Sequence, residues 1–316
     1  MTKTGVVSVL HTFQGGFTDG LFPTTGLAHD AMWNLYGTAP GNNPGNGVVF
    51  KLTPSGEETI LYKFTGGLDG MNPSKVALDS AGNIYGTAQG GVNGSEAGLA
   101  FKLDTSNTFS VLYNFCSLPS CIDGELPTSG PILDQAGNLY GVTDRGGSGD
   151  SGTVYKITPS GVETVLHSFI GFPGDGAEPR NNLRQDAQGN LYGVTLASGA
   201  NNRGVLFKQP ETGGAETVLY NFCTYSQCTD GQYPIGPVQI DKAGNLYGIA
   251  FESAVNRGPV VWELNTAGKE IVLFTFGKDV EVLAGLTIDS GGNLYGVTYN
   301  GGASHLGSVF KLKLLQ

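Results

Sequence analysis

Charge is scarce in this chain, and positive charge is the scarcer kind. Only 14% of the 316 residues are charged, and 17 Lys and Arg face 27 Asp and Glu, for a formal net charge of −10. Duplex nucleic acid and anionic membrane surfaces are bound through clustered cations. No such cluster occurs, so neither partner is expected. Long apolar runs are missing too. The longest are strand-sized, far short of the roughly 20 residues that cross a bilayer as a helix, so no membrane insertion is expected. No helical periodicity of apolar residues is found either. Met1-Thr2-Lys3-Thr4 runs straight into Val6-Val7-Ser8-Val9-Leu10 with no hydrophobic leader. The expectation is either a cytosolic protein or one whose signal peptide was removed and Met1 added back. Familiar catalytic signatures are also lacking: no G-x-S-x-G elbow, no H-E-x-x-H pair, no phosphate loop and no calcium loop of EF-hand spacing.

Cysteine is sparse but patterned. Cys116 and Cys121 enclose four residues, as do Cys223 and Cys228 at the matching place in another copy of the repeat described below. Two local disulfides are the economical expectation, and they point to an oxidising, extracellular or cell-surface location. Closing so short a loop gains roughly 2 kcal/mol, enough to stiffen a loop but not to hold a fold. A zinc site is not expected, because the pairs lie in different repeats and neither has C-x-x-C spacing.

What the chain has in plenty is glycine, 51 residues, and one recurring phrase. Asp30 precedes Asn34-Leu35-Tyr36-Gly37, and the phrase returns at Asp79, Asp134, Asp186, Asp241 and Asp289. From Tyr to Tyr the steps are 49, 55, 52, 55 and 48 residues. Periods of that size mark propellers, solenoids or arrays. Each copy holds four strand-like runs; in the first they are 26–29, 35–38, 48–52 and 59–64. Tight-turn phrases join the first to the second and the third to the fourth, the latter being Thr53-Pro54-Ser55-Gly56. Four short antiparallel strands per copy make a propeller blade. The predicted fold is all-β: a single six-bladed β-propeller domain spanning residues 1–316, expected to be a monomer.

The last copy stops after Val309-Phe310-Lys311-Leu312, one strand short. The missing phrase stands at the start, where residues 6–13 parallel 58–64. Residues 6–13 are therefore expected to complete the blade formed by about 282–316 and so remove an open edge.

The phrase Gly-Asn-Leu-Tyr-Gly-Thr, followed by a Gly-rich stretch and Val-Phe-Lys-Leu-Thr-Pro, resembles the bacterial GloVer tandem-repeat family over essentially the whole chain. That resemblance implies a secreted or surface-anchored propeller and no particular reaction. Copy six departs from the pattern, with Lys278-Asp279-Val280 where other copies carry Asp-Gly.

Antiparallel order puts both short turns of each blade on one face. The longer loops, after the second strand and between blades, share the other face, which is the expected seat of binding. Asp19, Asp69, Asp123, Asp175 and Asp230 sit in the crossing loops. They read either as a carboxylate ring at the channel mouth or as caps of their own turns; the capping reading explains their recurrence. Residues that break the repeat are better candidates. Glu178, Arg180, Asp144 and His305 are the candidate catalytic set. Lys75, Glu125, Arg145, Asn182 and Arg203 are candidate ligand contacts, together with Glu252, Arg257, Tyr233 and Tyr299. Carboxylates, guanidinium groups and exposed aromatics suit a polyhydroxylated ligand. For each, a solvated loop surface is the alternative. His11 and His167 occupy the place of Tyr62, Tyr113 and Tyr220, and His29 adjoins a repeat Asp, so all three are expected to be structural.

The chain thus reads as a secreted recognition module for a carbohydrate or protein, or else as an extracellular hydrolase, lyase or cyclase-like enzyme with a pocket over the channel. No cofactor is expected beyond a calcium ion at the channel mouth, by analogy with other six-bladed folds.

Overall fold

The computed structural model describes residues 9–14, 23, 25–41, 46–94, 97–252, 258–282, 285–301 and 306–314. Blade one is β1 (Ala28–His29), β2 (Leu35–Ala39), β3 (Val48–Leu52) and β4 (Glu58–Lys63). Blade two is β5 (Ala77–Leu78), β6 (Ile84–Ala88), β7 (Leu99–Leu103) and β8 (Phe109–Asn114). Blade three is β9 (Ile132–Leu133), β10 (Leu139–Thr143), β11 (Thr153–Ile157) and β12 (Glu163–Ser168). Blade four is β13 (Arg184–Gln185), β14 (Asn190–Val194), β15 (Val205–Pro210) and β16 (Thr217–Asn221). Blade five is β17 (Gln232–Ile240), β18 (Leu246–Glu252), β19 (Val260–Leu264) and β20 (Glu270–Thr275). Blade six has three strands among the described residues: β21 (Thr287–Ile288), β22 (Leu294–Thr298) and β23 (Ser308–Leu312). Every pairing of neighbouring strands is antiparallel.

The recurring phrase builds the turn between first and second strands. In blade three, Asp134 Oδ1 accepts from the Ala136 and Asn138 amides at 2.9 and 2.8 Å. Its Oδ2 accepts from Asn138 Nδ2 at 2.7 Å and the Tyr140 hydroxyl at 3.1 Å. Six donors and acceptors are spent within seven residues, which is why the phrase recurs nearly unchanged. All four hydrogen bonds recur in the other five copies, with the same residue types apart from those at the third position of the turn. The glycine of the phrase has a different job. A Cβ on Gly193 would lie 2.5 Å from Phe207 Cζ, and one on Gly86 would lie 2.5 Å from Phe101 Cζ. A bare backbone is needed there so that the aromatic ring of the third strand can lie across it.

The cores sit between blades rather than within them. One cluster joins Val49 and Phe64 of blade one to Val76, Leu99 and Phe101 of blade two, and the other interfaces repeat it. At each junction a Phe following the fourth strand meets the third-strand aromatic of the next blade. These pairs are Phe64/Phe101 at 5.4 Å, Phe115/Tyr155 at 4.9 Å, Phe169/Phe207 at 5.2 Å, Phe222/Trp262 at 5.5 Å and Phe276/Phe310 at 5.0 Å. The sixth is Phe13/Phe50 at 5.1 Å. Residues 9–14 therefore stand against blade one as the end of each outer strand stands against its successor. They carry no strand assignment, and residues 6–8 of the expected closing strand lie outside the described residues. Val309 of β23 is 80% exposed, whereas its counterparts Val49 and Val154 are at 0%.

Both cysteine pairs are disulfide-bonded, Cys116 to Cys121 and Cys223 to Cys228. Each closes a crossing loop around one 3-10 turn, at Pro119–Cys121 and Ser226–Cys228.

Candidate functional site

The innermost strands alternate, as any strand does. Counting back from the repeat Asp in blades two, four, five and six, the third residue is buried: Val76, Leu183, Val238 and Leu286 are all at most 3% exposed. The second and fourth residues turn to the axis. All six innermost strands thereby line one channel cavity of about 440 Å³. At the second position stand Ala28, Ala77, Ile132, Arg184, Gln239 and Thr287; the fourth includes Lys75, Asn182 and Pro237. Among the described lining residues two are cations and none is a carboxylate.

Lys75 is half-buried, and burial, reinforced by repulsion from Arg184, holds its ammonium below the ordinary lysine range. Its stem lies along Gly26, where a Cβ would sit 3.4 Å from Cε. Asn182 spends its amide on the Gly130 carbonyl at 2.6 Å, and Asn181 accepts from the Gly236 amide at 2.9 Å. The Asn181-Asn182 pair therefore ties blade four to both of its neighbours.

On the long-loop face, three candidate catalytic residues come together and satisfy one another. Arg180 Nε donates to Asp144 Oδ1 at 2.7 Å, and Arg180 NH2 lies 2.9 Å from Glu178 Oε2. Asp144 is 3% exposed, and its hydrogen bond is the main cause that raises the Arg180 guanidinium above its usual value. Such a trio is an inter-blade brace, with both carboxylates held on one guanidinium. The fourth, His305, lies outside the described residues, as does Arg257. Arg203 packs its guanidinium 5.3 Å over the Tyr233 ring and donates to the Asn202 carbonyl at 2.9 Å. Glu125 and Arg145 pair through backbone hydrogen bonds of 2.9 and 3.1 Å. Glu252 ends β18, opposite Gln232, and Tyr299 is 67% exposed.

The four described crossing-loop aspartates bind groups of their own loops and outer strands, and Asp19 lies outside the described residues. Asp123 accepts from the Tyr113 hydroxyl at 2.7 Å and the Ser117 amide at 2.8 Å. Asp230 accepts from Tyr220 at 2.6 Å and Thr224 at 2.8 Å, and Asp69 from Tyr62 at 3.0 Å and Thr65 at 2.8 Å. Asp175 meets His167 Nε2 at 2.6 Å and the Ile170 amide at 2.9 Å. These carboxylates cap their own loops and form no ring at the channel.

Beside three of them lies a glutamate that the sequence reading missed. Glu163, Glu216 and Glu270 open the fourth strand of the following blade, or the turn into it. Each has one buried carboxyl oxygen with no hydrogen-bond partner. Burial first, then the facing Asp123, pushes Glu163 up to about 7. Burial and Asp230 do the same to Glu270, up to about 7. Burial and Asp175 raise Glu216 to about 7 against the opposing pull of His167. Ligand atoms of His167, Asp175 and Glu216 lie within 4.8 Å of one another. The same arrangement with a phenol in place of the imidazole recurs at Tyr113, Asp123 and Glu163, so this trio reads as one copy of a blade clasp. For the calcium ion expected at the channel mouth, the described lining of the channel offers no carboxylate.

No curated protein matches the chain. Among solved structures, it is similar to a luciferin-regenerating enzyme at 16% identity and a TM-score of 0.54, with 92% of each chain covered. It is also similar to the PQQ-bound aldose sugar dehydrogenase of Streptomyces coelicolor, at 14% identity and 0.54, covering 95% of this chain and 96% of that one. A putative gluconolactonase matches at 14% identity and 0.50, over 89% and 87%. At such identities the likeness is one of fold alone. A family model for the Gloeobacter/Verrucomicrobia repeat matches residues 1–133 and 38–228. The repeat that builds the clasped turns, and with them the channel, is the one this model describes: the chain belongs to the Gloeobacter/Verrucomicrobia repeat family.

Proposed function

We propose that the protein is a secreted or cell-surface recognition module that takes a small polyhydroxylated ligand, a sugar or sugar derivative, into the channel from the long-loop face. The observation that carries the reading is the channel itself. Six blades converge on a cavity of about 440 Å³, within the range of small-molecule sites, in which Gln239 and Thr287 offer hydrogen-bonding groups beside Lys75 and Arg184. Two disulfides support the extracellular setting. The mutual neutralisation of Asp144, Glu178 and Arg180 favours binding over turnover.

Isothermal titration of the intact chain against a panel of neutral sugars and sugar acids tests this. At least one member will bind saturably at one site per chain. The double variant Gln239→Leu, Thr287→Val will weaken that binding about tenfold, the worth of one or two hydrogen bonds. Silence from the whole panel at millimolar ligand ends the reading.

A further inference from the structure

Resting on that reading, we infer that the ligand is an anion, a sugar acid whose carboxylate is held between Lys75 of blade two and Arg184 of blade four. Three observations converge. The lining carries two cations and no carboxylate, in a chain where acids outnumber bases 27 to 17. Neither side chain has an ion pair or hydrogen bond among the described residues, whereas other cations of the blades are committed. Arg180 is braced by two carboxylates, and Lys51, Lys102, Lys156, Lys208 and Lys311 each lie over the tyrosine ring of their own repeat at 5.2–5.8 Å. Lys75 instead feels the other channel cation: Arg184 is the charged neighbour that acts on it.

Like charges facing one cavity, with Lys75 half-buried, cost stability, and nothing in blade construction requires them. The equivalent positions elsewhere hold Gly26, Gly130, Asn182, Pro237 and Gly285 for Lys75, and alanine, isoleucine, glutamine or threonine for Arg184. A carboxylate placed between them removes the repulsion and gains charge-assisted hydrogen bonds, with Arg184 able to bind it bidentately. Gln239 and Thr287, on blades five and six, then face the hydroxyls of the same ligand.

The test is titration of wild type, Lys75→Gln and Arg184→Gln with glucuronate, its neutral methyl ester, glucose and inorganic phosphate. Glucuronate will bind wild type at least tenfold more tightly than the ester or glucose. Each variant will lose about 10- to 100-fold for glucuronate while leaving glucose unchanged, as expected for removal of one charged hydrogen bond. The melting temperature of Lys75→Gln will not fall, because the lysine has no structural partner to lose; a fall would assign it to the scaffold and overturn the inference. Equal binding of glucose and glucuronate, indifferent to Lys75→Gln, leaves the recognition reading standing and removes the anion. Phosphate bound through both cations with no sugar bound keeps the anion site and removes the sugar. No binding by any of the four removes both.

Discussion

Thermal stability will fall as the pH is raised from 5 to 7.5, by about 4–5 °C in melting temperature, with little further change above. The cause is the three clasp glutamates. In the unfolded chain each titrates near the ordinary 4.5, whereas in the fold Glu163, Glu216 and Glu270 are raised to about 7. Between those values the folded protein holds protons that the unfolded chain releases, so raising the pH favours unfolding. The loss begins near 4.5, runs through the window and is complete once the folded groups have ionised. Solvent screening of these half-buried groups reduces each contribution to about 1 kcal/mol. Three together shift the midpoint of a chain this size by the stated few degrees. The repeat aspartates act in the opposite direction but elsewhere on the scale. Asp79, Asp134, Asp186 and Asp241 are lowered by their hydrogen bonds against the opposing effect of burial, so their stabilisation is lost only as the pH drops below about 4. Maximum stability therefore lies near pH 4.5–5. Calorimetric scans at constant ionic strength measure the slope, and the triple variant Glu163→Gln, Glu216→Gln, Glu270→Gln will flatten it. A wild-type midpoint constant or rising from pH 5 to 7.5 rejects the buried carboxyl pairs.

Gly193→Ala will cost about 3 kcal/mol, some 4–5 °C, although alanine suits a strand no worse than glycine does. Gly193 does not need positive φ, so the backbone is not the obstacle. The added methyl would meet Phe207 Cζ at 2.5 Å and Leu183 Cδ2 at 2.9 Å, all within one closely packed inter-blade cluster. Because the cost comes from one ring, Phe207→Leu in the same chain will recover part of it, and the two changes will be non-additive. A Gly193→Ala protein that melts with wild type shows that the ring does not lie across the glycine.

The architecture was legible because its determinants are local. Asp134, Asn138 and Tyr140 find their partners within seven residues, so each copy announces its own turn. The glycines and aromatics of successive strands follow the same short logic, and His167 does sit where Tyr113 and Tyr220 sit. The site was legible only in part. Arg180, Asp144 and Glu178 stand out individually, but their mutual satisfaction depends on a crossing between blades three and four. Glu163, Glu216 and Glu270 look like solvated strand-edge residues until the preceding blade's aspartate lies against them, about 40 residues back in the chain. Arg184 breaks its repeat position openly. What linear spacing cannot convey is that, among the described residues, no acid from the other five blades shares its cavity.

Copy six carries the consequence of its own irregularity. Where the phrase Asp-Gly gives way to Asp279-Val280, the preceding outer strand has Phe274, 47% exposed, in the place of the tyrosine or histidine that would have donated to that aspartate. The donor has gone, and among the described residues Asp279 has no hydrogen bond to that strand, leaving the junction of blades five and six to Phe276, Phe310, Val282 and their apolar neighbours and to the hydrogen bonds of Glu281 with Tyr299 and Asn300. A ring clasped at its other described junctions by a half-buried tyrosine or histidine on an aspartate thus has one joint without that side-chain tie. Deuterium will enter the amides of β21–β23 ahead of those in β5–β16, and the propeller will unzip from that joint first.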